Sequence, residues 1–311
     1  MRAFALDAFG QPGSIHDLAE PEPAEGHVRV RVAAAALNPF DNVVLQGYLK
    51  DKMEHRFPLI PAGDFSGTVE ALGSGVHGFS VGDPVFGVTG KMFFGEGTLA
   101  EKTTASAGTI AKRPLSISDV EAAALPLAGV SALMCVDAAA PKAKDVVVVV
   151  GASGGIGSYA VQLAKGRGAH VIGVTHTANL EYVKGLGADE VVDRTAGDLV
   201  DAIKSKHSHG VTAIIDTASD AAALAALSEA LRKGGTVISM KGAAAPDELA
   251  KRGLRGVNIQ TQVNTERLET LAKLSADGKL KAPRIHKFPL DKAGEAFKLL
   301  GQTDGKLVVT V

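Results

Sequence analysis

Apolar and polar positions change their rhythm along this chain. Through residue 122 the apolar runs are short, and Gly and Pro separate them. HVRVRVAAAAL (27–37) alternates and then turns uniformly small and apolar, the pattern of a strand entering a core. GTVEALGSGV (67–76) predicts a strand and turn, and VGDPVFGV (81–88) a strand with Pro near its start. From 146 strands alternate with helices. VVVVV (146–150) leads to a helix at 156–166, and HVIGVT (170–175) to one at 178–186. EVV (190–192) precedes a helix at 197–205, TAIID (212–216) one at 221–231, and TVISM (236–240) closes the series. Such alternation predicts βαβ units around a parallel sheet covered on both faces. A strand VNIQTQV (257–263), helices at 264–277 and 290–300, and a strand KLVVTV complete the chain. The expected division is a β-rich piece at 1–122, a βα domain at 123–257, and a closing piece at 258–311.

Composition narrows the function classes. At 311 residues two domains fit comfortably. A net charge of −1 with scattered basic residues argues against a nucleic-acid binder. One cysteine, Cys135, excludes an internal disulfide and a multi-cysteine metal site, and suits a reducing compartment. Residues 146–164 carry no formal charge, yet a membrane span there would bury Ser153, Ser158 and Gln162 among glycines. MRAFALDAFG lacks the apolar core of a signal peptide. A cytoplasmic protein without membrane partners is expected.

GASGGIG follows the first βα strand directly. Small residues at such a turn let the chain bend sharply, bring backbone N–H groups to a pyrophosphate, and pack helix on strand. Two registers satisfy the pattern: Gly155-x-Gly157-x-x-Ala160, and Ala152-x-Gly154-x-x-Gly157, which places the turn directly after the strand. In both, Ser153, Gly154, Gly155 and Ile156 form the cradle. The second strand ends in Thr175-His176-Thr177, where NAD-binding enzymes carry an acidic residue for the ribose hydroxyls. No Asp or Glu occurs between Ser158 and Leu180, so a 2′-phosphate is not repelled, Thr175, His176 and Thr177 can hydrogen-bond it, and NADPH is the expected cofactor. Arg194, just after the third strand, is a candidate cation for it or an ordinary surface arginine. Thr217 and Ala218, with Met240, Lys241 and Gly242, follow later strands at the sheet end where ligands bind.

A short-chain dehydrogenase would need Tyr-x-x-x-Lys well after the glycine turn. Tyr48-Leu-Lys-Asp-Lys52 matches by letter but lies before it, and neither Tyr159 nor Tyr182 has Lys four residues on. That reading fails. The ordered stretches LNPFDNVVLQG (37–47), PLIPAGDFSGTVEALGSGVHGFSVGDPVFG (58–87), EAAALPLAGVSAL (121–133), GASGGIGSYAVQLAKGRGAHVIG (151–173), LGADEVVD (186–193), FPLDKAGEAFKLL (288–300) and GKLVVTV (305–311) resemble the medium-chain dehydrogenase/reductase superfamily, in its zinc-free quinone oxidoreductase branch.

The resemblance implies an α/β fold: a Rossmann-type doubly wound parallel sheet inserted in a GroES-like, β-rich catalytic domain. Asn38 and Asp64 match the first Cys and the His of the catalytic zinc in zinc-dependent members. The second Cys falls in Leu125-Pro126-Leu127, which offers no ligand. No metal site is expected, since the nine histidines show no helical H-x-x-x-H spacing. Without a metal to polarise a carbonyl, the fitting acceptor is already activated: a quinone or an α,β-unsaturated ketone. Asn38 is implied to lie near the nicotinamide, with its amide as donor to the substrate oxygen, against an ordinary turn role for Asn before Pro. Asp41 is expected to fix the loop. Tyr48 is a candidate proton donor or entrance residue, although the family's tyrosine position is Val43 here. Phe40, Met92, Phe93 and Phe94 would wall a planar substrate or simply pack a core. Ser131 matches a hydroxyl near the cofactor, and VNIQTQV a strand paired across a homodimer two-fold. Two rival functions remain: a 2-alkenal or enone reductase inactive on quinones, and a catalytically idle NADPH-binding redox sensor or scaffold.

Overall fold

Small and β-branched residues shape the first part of the chain. The computed structural model describes residues 1–311. β1 (Arg2–Ala5) and β2 (Ser14–Asp17) pair antiparallel. The alternating stretch becomes β3 (His27–Ala36), with Val28, Val30 and Val32 buried and Arg31 exposed. Asn38 caps α1 (Pro39–Leu45), where Pro occupies a first-turn position that needs no N–H. β4 (Glu54–Ile60), β5 (Asp64–Leu72), β6 (Pro84–Val88), β7 (Phe93–Glu96), β8 (Lys102–Ser106) and β9 (Ile110–Lys112) follow. Two helices come next, α2 (Asp119–Ala123) and α3 (Pro126–Ala139). The pattern of residues gave no sign of α3, because its sequence is apolar nearly all round and has no stripe to detect.

The βα series is β10 (Val146–Val150), α4 (Gly155–Gly166), β11 (His170–Thr175), α5 (Leu180–Gly185), β12 (Glu190–Asp193), α6 (Leu199–Lys204), β13 (Val211–Asp216), α7 (Ala221–Leu227), β14 (Leu231–Ser239), α8 (Pro246–Lys251) and β15 (Arg255–Asn258). Its six strands are all parallel, in the order β12-β11-β10-β13-β14-β15. The chain leaves β10 toward β11 on one side and later returns to β13 on the other. That reversal opens a crevice beyond the C-terminal strand ends. The uncharged run is a buried strand and a twelve-residue helix, and no helix is long and apolar enough to cross a membrane.

Two expected elements have other bounds. The helix at 221–231 ends at Leu227, because Leu231 pairs with Val211 and sheet pairing overrides local helix propensity. The strand expected at 257–263 is Arg255–Asn258, and residues 259–264 leave the ladder.

The chain closes with α9 (Thr265–Ala276), β16 (Ile285–Pro289), α10 (Ala293–Leu299) and β17 (Lys306–Thr310). One compact unit comprises Met1–Val130, Val263–Gly278 and Arg284–Val311; the other comprises Ser131–Gln262 and Lys279–Pro283. The boundaries read from the sequence, after 122 and 257, lie eight and five residues before the points where these units change, after Val130 and Gln262. The first unit's main sheet runs β16-β17-β3-β5-β6-β9, with β8 also on β3. Its core gathers Val28, Val30, Phe65, Val85 and Leu307. The second unit's core lies on the parallel sheet around Val148, Ile172, Ile214 and Leu224.

Candidate active site

Strand order assembles a buried polar group in the first unit. β3 lies between β5 and β17, so its end meets the starts of both: Ala36 pairs with Asp64 and with Val308. Asn38, Asp41, Asp64 and Lys306 are all below a tenth exposed. Lys306 Nζ donates to Asn38 Oδ1 at 2.6 Å and to the Leu37 carbonyl at 2.9 Å, and lies 3.6 Å from Asp64 Oδ2. Asn38 Nδ2 donates to Asp64 Oδ2 at 3.0 Å. Flipping the amide would set NH2 against an ammonium and oxygen against a carboxylate, so electrostatics fixes its orientation. Asp41 Oδ2 accepts from the Asn38 N–H at 2.7 Å, the loop-fixing role expected of it.

Burial weakens every charge in this group. It raises the Asp41 carboxyl to about 7, opposed by the Asn38 N–H and helped by the neighbouring Asp64. It raises Asp64 against the pull of Lys306, and lowers Lys306 against the pull of Asp64. A buried pair like this needs supporting hydrogen bonds, and it has them: Asn38 Nδ2 and the Leu127 N–H donate to Asp64 Oδ2, and Lys306 Nζ donates to Asn38 Oδ1 and the Leu37 carbonyl.

The aromatic residues separate. Phe40, 47% exposed, lies 5.9 Å from Phe94 between ring centroids, and Phe94 lies 5.2 Å from His55. Phe9 packs edge-on against both His55 and Phe57. Phe93 takes no part, because adjacent strand residues face opposite ways and its ring lies 3.6 Å below the Arg56 guanidinium carbon. Met92 and Tyr48 point largely into solvent, at 86% and 74% exposed. Phe9, His55 and Phe57 carried no local signal that would have joined them to this cluster.

In the second unit the turn after β10 has the shape the glycines foretold, in the second register. Gly151, absent from that register, supplies the left-handed residue at φ +76°. Gly154 caps α4, and a Cβ on Gly157 would stand 2.1 Å from the Gly151 carbonyl oxygen. Ala152 and Ser153 are buried in the turn, while Gly155, Ile156 and Gly157 form the first helical turn, whose N–H groups have no partner within the helix. Thr217 and Ala218 back the turn: a Cβ on Gly151 would approach the Thr217 hydroxyl to 2.5 Å. Met240 N donates to the Asp216 carbonyl and Lys241 Nζ to the Ala218 carbonyl, which draws Met240, Lys241 and Gly242 to the same edge.

The ribose end departs from the sequence reading. Thr175 is buried and donates its hydroxyl to Ser153 at 2.9 Å, inside the glycine turn. His176 is exposed. β11 pairs Thr175 with Asp193, whose carboxylate accepts from Thr177 and Thr195 and is held below its ordinary range by those bonds. An acidic group therefore does stand beside 175–177, brought by strand pairing from outside the stretch 158–180. Arg194 is exposed, with its N–H on the Thr175 carbonyl. Ser131 is buried and shares a 2.6 Å hydrogen bond with Thr261.

Comparison with known proteins agrees with both units. Residues 24–115 match the alcohol dehydrogenase GroES-like domain, and residues 155–267 the zinc-binding dehydrogenase domain. A chloroplast envelope quinone oxidoreductase homolog from Arabidopsis thaliana is 33% identical over 307 residues, covering 93% of this chain and 91% of that protein. The chain belongs to the medium-chain dehydrogenase/reductase superfamily, in its quinone oxidoreductase branch. An NADPH-dependent alkenal/one oxidoreductase from the same plant is 32% identical over 307 residues, covering 93% and 73%. The solved quinone oxidoreductase from Coxiella burnetii superposes with a TM-score of 0.89 at 32% identity, covering 100% and 99%.

Two groups are implied by this superfamily, and the residues fit only one. At the position of the catalytic zinc stand an amide and a carboxylate, with no thiolate or imidazole, and the Lys306 ammonium already takes the oxygens a dication would need. The glycine turn fits a dinucleotide, because Gly151 and Gly157 let the turn pack tightly against its own backbone and Thr217, which sets the uncapped N–H groups at the start of α4 beyond the end of β10.

Proposed function

We propose that this quinone oxidoreductase family member reduces a quinone or an α,β-unsaturated carbonyl with NADPH, at a site that uses no zinc. The carrying observation is the Lys306 ammonium seated between Asn38 and Asp64. It supplies a fixed positive charge where zinc-dependent relatives place a Lewis acid, and favours acceptors already activated by conjugation.

When bound, the nicotinamide supplies a hydride for the acceptor's conjugated carbon. Ser153, Gly154, Gly155 and Ile156 would hold its pyrophosphate, and Arg194 and His176 its 2′-phosphate, with Asp193 as a counterweight that limits selectivity. Asn38 has one amide N–H committed to Asp64; the second would donate to the oxygen on which negative charge develops. Lys306 strengthens that donor by polarising the amide from its carbonyl side. Phe40 and Phe94 would flank the ring or enone, and solvent or Tyr48 would deliver the proton. The open edge of the parallel sheet at β15 supports a homodimer formed across it. The single buried cysteine suits a reducing cytoplasm.

Steady-state assays with NADPH and a panel of quinones, 2-alkenals and cyclic enones test this reading. Turnover of quinones and enones without added metal, insensitive to chelators, is the expected result. Activity on enones alone would select the narrower reductase, and binding without turnover the idle sensor. Stoichiometric zinc at Asn38 and Asp64 would overturn the reading.

A further inference from the structure

The three elements that start at the far end of the parallel sheet carry a second set of converging ligand atoms. His170 is the first residue of β11, Glu190 the first of β12, and His207 lies in the loop that leads into β13. Glu190 Oε1 receives both imidazoles: His170 Nε2 at 2.7 Å and His207 Nε2 at 2.9 Å. The two rings stand 5.5 Å apart between centroids and are inclined at 56°, so they converge on one point instead of stacking. All three ligand atoms lie within 4.8 Å of one another, and all three residues are half-buried.

We propose that His170, Glu190 and His207 bind a divalent transition-metal ion of the zinc type. Two imidazoles and a carboxylate are the donor set that such ions prefer over magnesium or calcium. Ligand bonds of about 2.0–2.2 Å set tetrahedral donor atoms roughly 3.3–3.5 Å apart, so an ion enters by parting Glu190 Oε1 from the two imidazoles by about half an ångström, and a fourth position is left to water. Each imidazole now directs Nε2–H at the carboxylate. Metal binding needs Nε2 free and the proton on Nδ1. For His170 that proton has an acceptor nearby, since Asp189 Oδ2 lies 4.0 Å from Nδ1. A carboxylate behind a metal-bound imidazole is a common orienting device. Lys206 Nζ sits 3.2 Å from Glu190 Oε2 and is mostly exposed, so it can hold that oxygen while Oε1 turns to the metal.

The glycine turn follows the opposite end of the strands, and β11 alone, five residue steps long, separates the two by roughly 16 Å. The ion therefore does no hydride chemistry. It clamps the edge strand β12 to the loop entering β13, and the proposal is independent of the function assigned above.

Metal-free full-length protein is titrated calorimetrically with Zn2+, with Co2+ as a spectroscopic probe and Mg2+ as the control. One equivalent of Zn2+ per chain, ligand-field absorption with Co2+, and no response to Mg2+ are expected. H170Q and H207Q, in which glutamine still donates to Glu190, should each weaken Zn2+ binding at least ~10-fold and leave nicotinamide binding unchanged. H209Q, two residues from His207 on the same loop, should bind like wild type. A second measurement needs no variant: diethyl pyrocarbonate labelling of wild type with peptide mass spectrometry, with and without Zn2+. Protection of His170 and His207 is expected. Labelling unchanged by saturating Zn2+, or Zn2+ affinity equal in wild type and the two glutamine variants, overturns the proposal.

Discussion

Lys306 Nζ lies 2.6 Å from Asn38 Oδ1, a contact between residues 268 positions apart. It ties the start of the final strand to the cap of the first helix, and gives the buried carboxylates their nearest cation.

Removing that cation leaves Asp64 buried without compensation. Lys306→Met should destabilise the protein by about 3–5 kcal/mol, read from denaturant unfolding. Adding Asp64→Asn in the same chain should restore much of that loss, because the orphaned charge goes with it. A single variant within 1 kcal/mol of wild type, on the same roughly 3–5 kcal/mol scale, would show the pair contributes little.

Asp41 should make stability depend on pH. Its carboxyl titrates near 7 in the fold against 3.8 when unperturbed, so the folded state holds the proton more tightly. The contribution is full below the unfolded value and is lost as pH rises through about 7, with a slope up to about 1.4 kcal/mol per pH unit. Asp41→Asn keeps the acceptor for the Asn38 N–H and should flatten the change in melting temperature between pH 5 and 8. Parallel curves for the two proteins would refute the assignment.

Gly157→Ala should disrupt the turn, since the added Cβ meets the Gly151 carbonyl at 2.1 Å. Nicotinamide affinity should fall more than tenfold, about 1.4 kcal/mol or more, together with the melting temperature. Gly166→Ala, at the far end of the same helix, meets nothing within 4 Å and should be neutral or stabilising by about 0.5–1 kcal/mol. Fluorescence titration with NADPH separates the two. Equal behaviour would mean the turn tolerates a side chain.

Arg194→Ala tests the cofactor preference. NADPH affinity should drop about tenfold, the loss of roughly one charge-assisted contact, with NADH affinity little changed. Equal losses for both would assign Arg194 to general stability. The complementary change, Asp193→Asn, should favour NADPH further, because it removes the negative charge beside Thr177.

Residue order alone determined the βα rhythm, the glycine turn and the superfamily, because each is written in local spacing: period two in strands, wider apolar stripes in helices, small residues where backbone must approach. It also marked Asn38 and Asp64 as occupants of a zinc position without zinc ligands. Tertiary structure alone placed Lys306 between them, moved Asp193 beside Thr177, turned Phe93 away from Phe94, and gathered His170, Glu190 and His207. Each of those contacts depends on which strands are neighbours and which way a side chain faces. Pairing energy is set between distant segments, so neither is written in the spacing of nearby residues.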